Sequence, residues 1–155
     1  MAGLERRPAE AEAALGTLDH VAHKTERSLV ERDGAILRLI YTFDAVWKAC
    51  QQLLAERKNI DVASPNATIR AARRLGWPPD DEAKTAMSIG RDRNLAVHMY
   101  RGEVGAEIAR RINAHAELLR AGSKSCEIVP LRTEATRRVS AQARRVLPWH
   151  RRQLI

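Results

Sequence analysis

Apolar side chains recur between residues 36 and 54 with the spacing of a single face of an α-helix. They follow the pattern i, i+4, i+7, i+11, i+14, i+18, and the residues concerned are Ile36, Ile40, Phe43, Trp47, Cys50 and Leu54. Since a helix turns by about 100° per residue, these positions form one continuous stripe, and the charged side chains of the segment lie mostly off it. The pattern predicts a long helix from about Ser28 to Arg57 that forms the spine of a hydrophobic core.

Weaker signals predict four further helices, over about residues 8–25, 64–75, 80–100 and 103–120. The second of these begins with an N-cap serine followed by proline, Ser64-Pro65, and ends before Gly76. The third is expected to be capped by Asp80 or Asp81. Glycine and proline fall mostly between the segments and the aromatic content is 4%, so the composition favours an all-α protein.

The net charge of +8 is concentrated at the C-terminal end of the chain. From Ala121 onward there are eight Lys and Arg residues and two Glu residues, which gives +6 and leaves +2 for residues 1–120. We therefore expect a nearly neutral domain over residues 1–120 and a basic C-terminal extension over residues 121–155 that is flexible or loosely helical. An excess of basic charge suggests nucleic-acid binding, and here only the extension has such an excess.

The expected compartment is the cytoplasm, without a membrane partner. No apolar run approaches the roughly 20 residues that a membrane span needs, and no signal-peptide core follows Met1. The two cysteines, Cys50 and Cys126, have no CxxC or Cys/His spacing, so neither a metal site nor a disulfide is predicted. Cys50 is expected to be a small buried hydrophobic side chain, and no cofactor is expected.

Four side chains suited to phosphate chemistry lie within eight residues near the end of the helix predicted over residues 80–100: Arg93, Asn94, His98 and Tyr100. If the helix continues through them, Arg93, Val97 and Tyr100 share one stripe. Asn94 and His98 then form the neighbouring stripe, and the opposite, apolar side consists of Leu95, Ala96 and Met99. An arginine that binds phosphate, a histidine that moves a proton and a tyrosine hydroxyl favour a phosphodiester site. The alternative is a solvated helix face with a half-buried tyrosine.

Arg93-Asn94 followed by His98-x-Tyr100 resembles the R-x4-H-x-Y motif of HEPN-domain proteins. The resemblance is closest to the toxin of the HEPN/MNT toxin–antitoxin pairs, the nucleotidyltransferase substrate-binding protein family. Three other segments are similar to that family in the same order: residues 32–48, residues 64–72 and residues 106–108. Two positions differ, because Leu39-Ile40 stands where the family often has Phe-Glu, and Arg101 follows the motif tyrosine where an acidic residue is common.

The resemblance implies an up-and-down bundle of about five helices that forms a two-fold homodimer, with the motifs of both protomers at the interface. It also implies a metal-independent endoribonuclease that acts as the toxin of a type II toxin–antitoxin system on an RNA substrate. Arg93 would bind the scissile phosphate, His98 would transfer the proton of the 2′-hydroxyl or of the leaving oxygen, and Asn94 would orient the site. Tyr100 would be the residue onto which a cognate MNT-type nucleotidyltransferase antitoxin transfers AMP, which blocks the cleft.

Two other functions remain compatible with these residues. In the first, the chain is a non-catalytic subunit of a two-component nucleotidyltransferase, and its cleft binds a substrate or nucleotide without cutting it. In the second, the chain is an inert helical interaction module. Growth arrest on expression of the chain alone distinguishes the toxin from the binding subunit, and modification of Tyr100 excludes the inert module.

Overall fold

The computed structural model of the protein describes residues 6–76 and 78–128. Every regular element in these two ranges is helical. The α-helices are α1 (Arg6–Ala22), α2 (Leu29–Lys58), α3 (Pro65–Arg74), α4 (Asp80–Leu95) and α5 (Gly102–Ile128), and a 3₁₀ turn, Ala96–His98, follows α4. Each α-helix packs against the next one along the chain, and α2 and α1 both pack against α5. The all-α prediction is therefore confirmed.

Helix α2 begins and ends within one residue of its predicted limits because both ends are capped. The Ser28 hydroxyl accepts a hydrogen bond from the Glu31 backbone N–H at 3.3 Å, and the Glu31 carboxylate accepts one from the Ser28 N–H at 2.8 Å. This reciprocal capping box satisfies two donors that the first turn would leave unpaired. At the other end Asn59 adopts a left-handed conformation with φ of 56°, which terminates the helix.

The buried face of α2 is wider than the single stripe predicted from the sequence. Ile36, Phe43 and Cys50 are buried as expected, but Ile40 and Trp47 are only half-buried. Their place is taken by side chains on the flank of the stripe, namely Leu39, Thr42, Val46, Ala49 and Leu53. Helix α1 covers this flank, and the Thr42 hydroxyl lies 3.1 Å from the Ala14 carbonyl oxygen of α1, to which it donates.

The connection from α3 to α4 corrects one predicted cap. Helix α3 begins at the predicted Ser64-Pro65 signal, with the Ser64 hydroxyl accepting from the Ala67 N–H, and Gly76 adopts a φ of 94° after its end. Helix α4 begins at Asp80, but the residue at the N-cap is Pro79 and no side chain caps the helix. The Asp80 carboxylate instead pairs with Arg73 of α3 at 2.7 Å, so it ties the two helices together.

Helix α5 runs to Ile128, eight residues beyond its expected end at Arg120. Leu118, Leu119 and Gly122 line a small apolar cavity together with side chains of α2, so packing sustains the helix past the glycine. The predicted basic extension therefore begins as helix, and residues 129–155 lie outside the described residues.

Cys50 of α2 is disulfide-bonded, which its spacing did not predict. None of the helices that the structure describes is long and apolar enough to cross a membrane.

The capping box at the start of α2 yields the first prediction. Ser28→Ala removes the side-chain acceptor and should lower the free energy of unfolding by about 1 kcal/mol. Ser28→Gly is the comparison variant. Glycine at an N-cap lets water reach the unpaired N–H groups, so it should lower the free energy of unfolding by only about a few tenths of a kcal/mol. Urea-induced unfolding followed by circular dichroism measures both, and an unchanged free energy of unfolding in Ser28→Ala would contradict the role of the hydroxyl.

Candidate functional site

The motif lies where α4 ends and the chain turns into α5. Helix α4 stops at Leu95, and the next bonds are of the tighter i→i+3 kind, from Met99 N–H to the Ala96 carbonyl at 3.1 Å and from Arg101 N–H to the His98 carbonyl at 3.0 Å. The prediction of one helical face across residues 93–100 is therefore wrong beyond Leu95. The chain must reverse within a few residues so that α5 can pack against α4, and a continuing helix cannot make that turn.

The tight turn exposes most of the motif. Val97 and Tyr100 are 73% and 80% exposed, and His98 is exposed as well. Ala96 is buried as predicted, but Leu95, which was expected on the apolar side, is 44% exposed. The end of α4 therefore presents a mixed apolar and polar surface, which Ala96 and the half-buried Met99 attach to the core.

His98 and Tyr100 lie in contact, with their ring centroids 6.2 Å apart and an interplanar angle of 68°, an edge-to-face pair. On a regular α-helix, residues two apart point about 200° away from each other and cannot meet. The 3₁₀ turn and the bend after it bring the imidazole and the phenol together, so the pairing is a consequence of the helix end and not of helical periodicity.

Arg93 is held by a carboxylate of α2 that the sequence did not single out as a site residue. Its Nε lies 3.1 Å from Asp44 Oδ1, and one terminal nitrogen lies 3.5 Å from Asp44 Oδ2. Asp44 also accepts a hydrogen bond from Trp47 Nε1 at 3.2 Å, which fixes the carboxylate. Within the described residues no hydrogen bond or ion pair joins Arg93 to His98 or Tyr100.

Asn94 is exposed and lines, with Arg93, a cleft of about 180 Å³. One wall of the cleft is the start of α3, residues 64–66, and the other is α4 from Met87 to Asn94. The structure thus places the four predicted site residues at one end of the bundle in two groups. Arg93 and Asn94 border the cleft, and His98 and Tyr100 form the exposed ring pair.

Directly behind Arg93 is a buried ionic network that joins α4 to α5. The Asp92 carboxylate, whose residue is 4% exposed, accepts from Arg111 at 2.7 and 3.0 Å and lies 2.9 Å from His115 Nε2. Arg111 also reaches Glu107 at 2.9 Å. His115 is 2% exposed, and no described residue bonds to its Nδ1.

Burial and pairing act against each other in this network. Burial opposes ionisation of Asp92, but the hydrogen bonds from Arg111 and His115 outweigh it, so the pKa of Asp92 lies below its ordinary value of 3.8. Burial also disfavours the charged form of His115, and the Asp92 carboxylate only partly offsets this, so the pKa of His115 lies below 6.5. His115 is therefore neutral at neutral pH and donates through Nε2.

The sequence did carry a signal for this network. His115 lies seven residues after Ile108 and three after Ile112, on the apolar stripe of α5, and Asp92 lies three after the buried Ile89. A polar side chain at a core position of a helix needs a buried partner. Within residues 6–76 and 78–128 no three His, Cys, Asp or Glu side chains cluster as a set of metal ligands.

Comparison with known proteins finds a matching family and a similar solved structure. The family model described as "Nucleotidyltransferase substrate binding protein like" matches residues 7–125. A crystal structure of a protein from Thermus thermophilus is similar, with 41% sequence identity and a TM-score of 0.73 over 75% of this chain and 98% of that one. No curated protein is significantly similar.

The buried histidine predicts the acid sensitivity of the fold. Because the pKa of His115 is lower in the folded state, the unfolded state binds the extra proton first, and stability should fall as the pH drops below about 6.5. The slope should be at most about 1.4 kcal/mol per pH unit, the limit for one proton. Asp92 adds a second loss at lower pH, because its stabilising charge disappears as the pH falls through its lowered pKa.

His115→Asn should flatten the first loss, since the amide can still donate to Asp92 but does not titrate. Urea unfolding at several pH values between about 7 and 5 measures the slope. His20→Asn on the exposed side of α1 is the control. An unchanged slope in His115→Asn would show that another group governs the acid response.

Proposed function

The chain belongs to the nucleotidyltransferase substrate binding protein-like family, and from this premise we propose that it is a metal-independent endoribonuclease. In this proposal it is the toxin of a type II toxin–antitoxin pair, and a nucleotidyltransferase is its antitoxin. The observation that carries the proposal is the edge-to-face pair of the exposed His98 and Tyr100, which lies at the same end of the bundle as Arg93. Phosphodiester cleavage needs a cation for the phosphate and a group that moves a proton.

Arg93 is suited to hold the scissile phosphate because Asp44 uses only part of its hydrogen-bonding capacity. A guanidinium has five N–H donors, and Asp44 engages two of its nitrogens. The side chains of Arg93 and Asp44 are 40% and 29% exposed, and ion pairs near the surface are weak enough for a phosphate to share or replace the carboxylate. Asp44 would keep the guanidinium in place until the phosphate arrives.

The proposed reaction uses the nucleophile that RNA itself carries. The 2′-oxygen attacks the adjacent phosphorus and forms the O2′–P bond, while the bond from phosphorus to the 5′-oxygen breaks. His98 takes the proton of the 2′-hydroxyl, or delivers one to the leaving 5′-oxygen, and the second proton is exchanged with a second histidine or with water. The products are a 2′,3′-cyclic phosphate and a 5′-hydroxyl, and Asn94 would orient the bound RNA in the site.

A homodimer would bring two such sites together. Val97 and Tyr100 expose apolar surface beside the site, and α2 exposes Val30, Leu37 and Tyr41 at a helical spacing of i, i+7, i+11. Exposed apolar side chains grouped in this way are typical of protein interfaces. The second histidine that the reaction can use would then come from the partner protomer.

Tyr100 is the proposed site of inactivation by AMP transfer. Its hydroxyl oxygen would attack the α-phosphorus of ATP, the tyrosine proton would be lost, and pyrophosphate would leave. The 80% exposure of this side chain supports access by a second enzyme. The adduct would place a phosphate and a nucleoside beside the His98 ring, where size and negative charge exclude RNA.

The alternative function is a non-catalytic subunit that presents a substrate or nucleotide to a separate nucleotidyltransferase. The description of the family as substrate-binding favours it, and so does a cleft at the motif. Expression of the chain alone separates the two functions, because growth arrest is expected of the toxin and normal growth is expected of the binding subunit.

The ribonuclease proposal predicts cleavage of RNA by the purified protein in the presence of EDTA. Arg93→Ala and His98→Ala should each lower the rate by at least about 100-fold, the usual contribution of a phosphate-binding or proton-transferring group. Gel electrophoresis of a labelled RNA measures the rate, and circular dichroism checks the fold. His20→Ala is the control for surface histidine loss. Cleavage that survives both site substitutions would overturn the assignment.

The inactivation proposal predicts a mass increase of one AMP unit on Tyr100 when the partner nucleotidyltransferase and ATP are supplied. The chain has two tyrosines, and Tyr41 is also exposed, at 56%, which makes Tyr41→Phe a matched control for Tyr100→Phe. Only Tyr100→Phe should abolish the mass increase in intact-protein mass spectrometry. Modification that persists in Tyr100→Phe would contradict the proposal.

A further inference from the structure

The cleft beside Arg93 has a polar rim and an apolar floor. Asn66 of α3 and Arg91 and Asn94 of α4 are exposed at its rim, and the floor contains the ring edge of the buried Phe43. The cleft lies next to the proposed phosphate-binding group, since Arg93 is part of its lining. Any ligand held there would be a direct neighbour of the phosphate on Arg93.

A glycine in the middle of a helix keeps this cleft open. A Cβ atom on Gly90 would lie 3.6 Å from Phe43 Cζ and 4.0 Å from Asn66 Oδ1, so a side chain at this position would point into the space between the two walls. Glycine inside a helix costs about 1 kcal/mol relative to alanine. The contacts of a methyl group would be ordinary van der Waals contacts, so packing alone does not require glycine here.

The polar groups on the rim are unused by the fold. Among the residues that the structure describes, no hydrogen bond or ion pair engages the side chains of Asn66, Arg91 or Asn94. Two other arginines of the same helices are paired, Arg73 with Asp80 at 2.7 Å and Arg93 with Asp44 at 3.1 Å. Two free amides and a free guanidinium therefore face one small space, with donors and acceptors for the edge of a base and a cation for a phosphate.

The size of the cleft restricts the ligand. At about 180 Å³ it is smaller than the roughly 300–1,000 Å³ typical of sites that enclose a whole small molecule. It suits a single planar group whose remainder continues over the surface. Arg70 lies one turn beyond Asn66 on α3 and is exposed, so a chain with regularly spaced phosphates would meet a further cation on leaving the cleft.

We propose that this cleft binds one base of single-stranded RNA, that of a nucleotide adjacent to the phosphate on Arg93. The inference rests on the proposed ribonuclease function and deepens it, since it assigns a subsite for the substrate strand. Asn66 and Asn94 contact the edge of the base, its face lies against the floor beside Gly90, and Arg91 binds a neighbouring phosphate. A base can enter only when it is unstacked, so the site selects single strands over duplexes.

The test fills the cleft without touching the proposed catalytic groups. Gly90→Leu places an apolar side chain between the walls, and Gly90→Ala places a methyl group there, while both replace glycine with a better helix former. Thermal stability should therefore stay equal or rise while RNA binding weakens. Gly16→Ala and Gly16→Leu on α1, where no atom lies within 4 Å of the added Cβ, are the matched controls.

Binding is measured by fluorescence anisotropy of a labelled single-stranded oligoribonucleotide in the His98→Ala background, which prevents cleavage. Gly90→Leu and Asn66→Ala should each weaken binding about tenfold, within the range that one base contact carries. The Gly16 variants should bind unchanged, and a duplex of the same sequence should bind more weakly than the single strand. Asn66→Ala keeps the test informative if Gly90→Leu fails to fold.

The outcomes separate the subsite from the reaction. If the wild-type protein cleaves RNA but Gly90→Leu and Asn66→Ala bind and cleave normally, the subsite is overturned and the ribonuclease stands. If RNA binding depends on Gly90 but no cleavage occurs, the subsite stands and the ribonuclease is overturned. A third outcome concerns free AMP. If AMP binds as tightly as the oligonucleotide in a competition experiment, and Gly90→Leu weakens both equally, the cleft is a site for a free mononucleotide and the RNA subsite is overturned.

Discussion

The buried carboxylate of Asp92 dictates how the end of α4 is arranged. A charge in the interior is tolerated only when it is paired and fully hydrogen-bonded, and Arg111 and His115 of α5 supply these bonds at 2.7–3.0 Å. The two partners are four residues apart on α5, so they project from one face and fix both the height and the rotation of α4. Removing Arg111 would leave the buried carboxylate without its cationic partner, and breaking a buried ion pair in this way typically costs about 3–5 kcal/mol.

Adjacent residues of α4 consequently have opposite environments. Asp92 points into the bundle, and Arg93, the next residue, points along α2 to Asp44. The buried network is a permanent part of the fold, whereas the Arg93–Asp44 pair lies near the surface and is exchangeable. The fixed carboxylate of Asp92 is thus followed directly by the available guanidinium of Arg93. Because the buried network holds Asp92 rigidly, it also sets the position of Arg93.

Much of this arrangement follows from local sequence. The limits of α2 and the start of α3 depend on neighbouring residues, such as Ser28, Asn59 and Ser64-Pro65, and these were predicted within one residue. The location of the motif at a helix end was also correct, because Gly102 marks the start of the next helix. Local chemistry of this kind is readable without knowledge of which helices pack together.

The features that could not be predicted depend on contacts between distant segments. Asp44 and Arg93 are 49 residues apart, and Asp92 and His115 are 23 apart, so neither pair is visible until α2, α4 and α5 are packed. The ring pair of His98 and Tyr100 was missed for another reason. Helical periodicity places residues two apart on different faces, and only the switch to a 3₁₀ turn brings them together. The extra length of α5 likewise depends on packing against α2.

The short hydrogen-bonded connection between α4 and α5 has a thermodynamic consequence. Backbone bonds from Met99, Arg101 and Val104 hold the turn at 2.9–3.1 Å, so the main chain around the ring pair is already ordered. Each residue that must be fixed on binding costs about 1–2 kcal/mol of backbone entropy, and this segment avoids that cost. A ligand that binds at this end of the bundle therefore has to order only side chains, because the main chain is already fixed. Its affinity is not lowered by the entropy cost of ordering a loop.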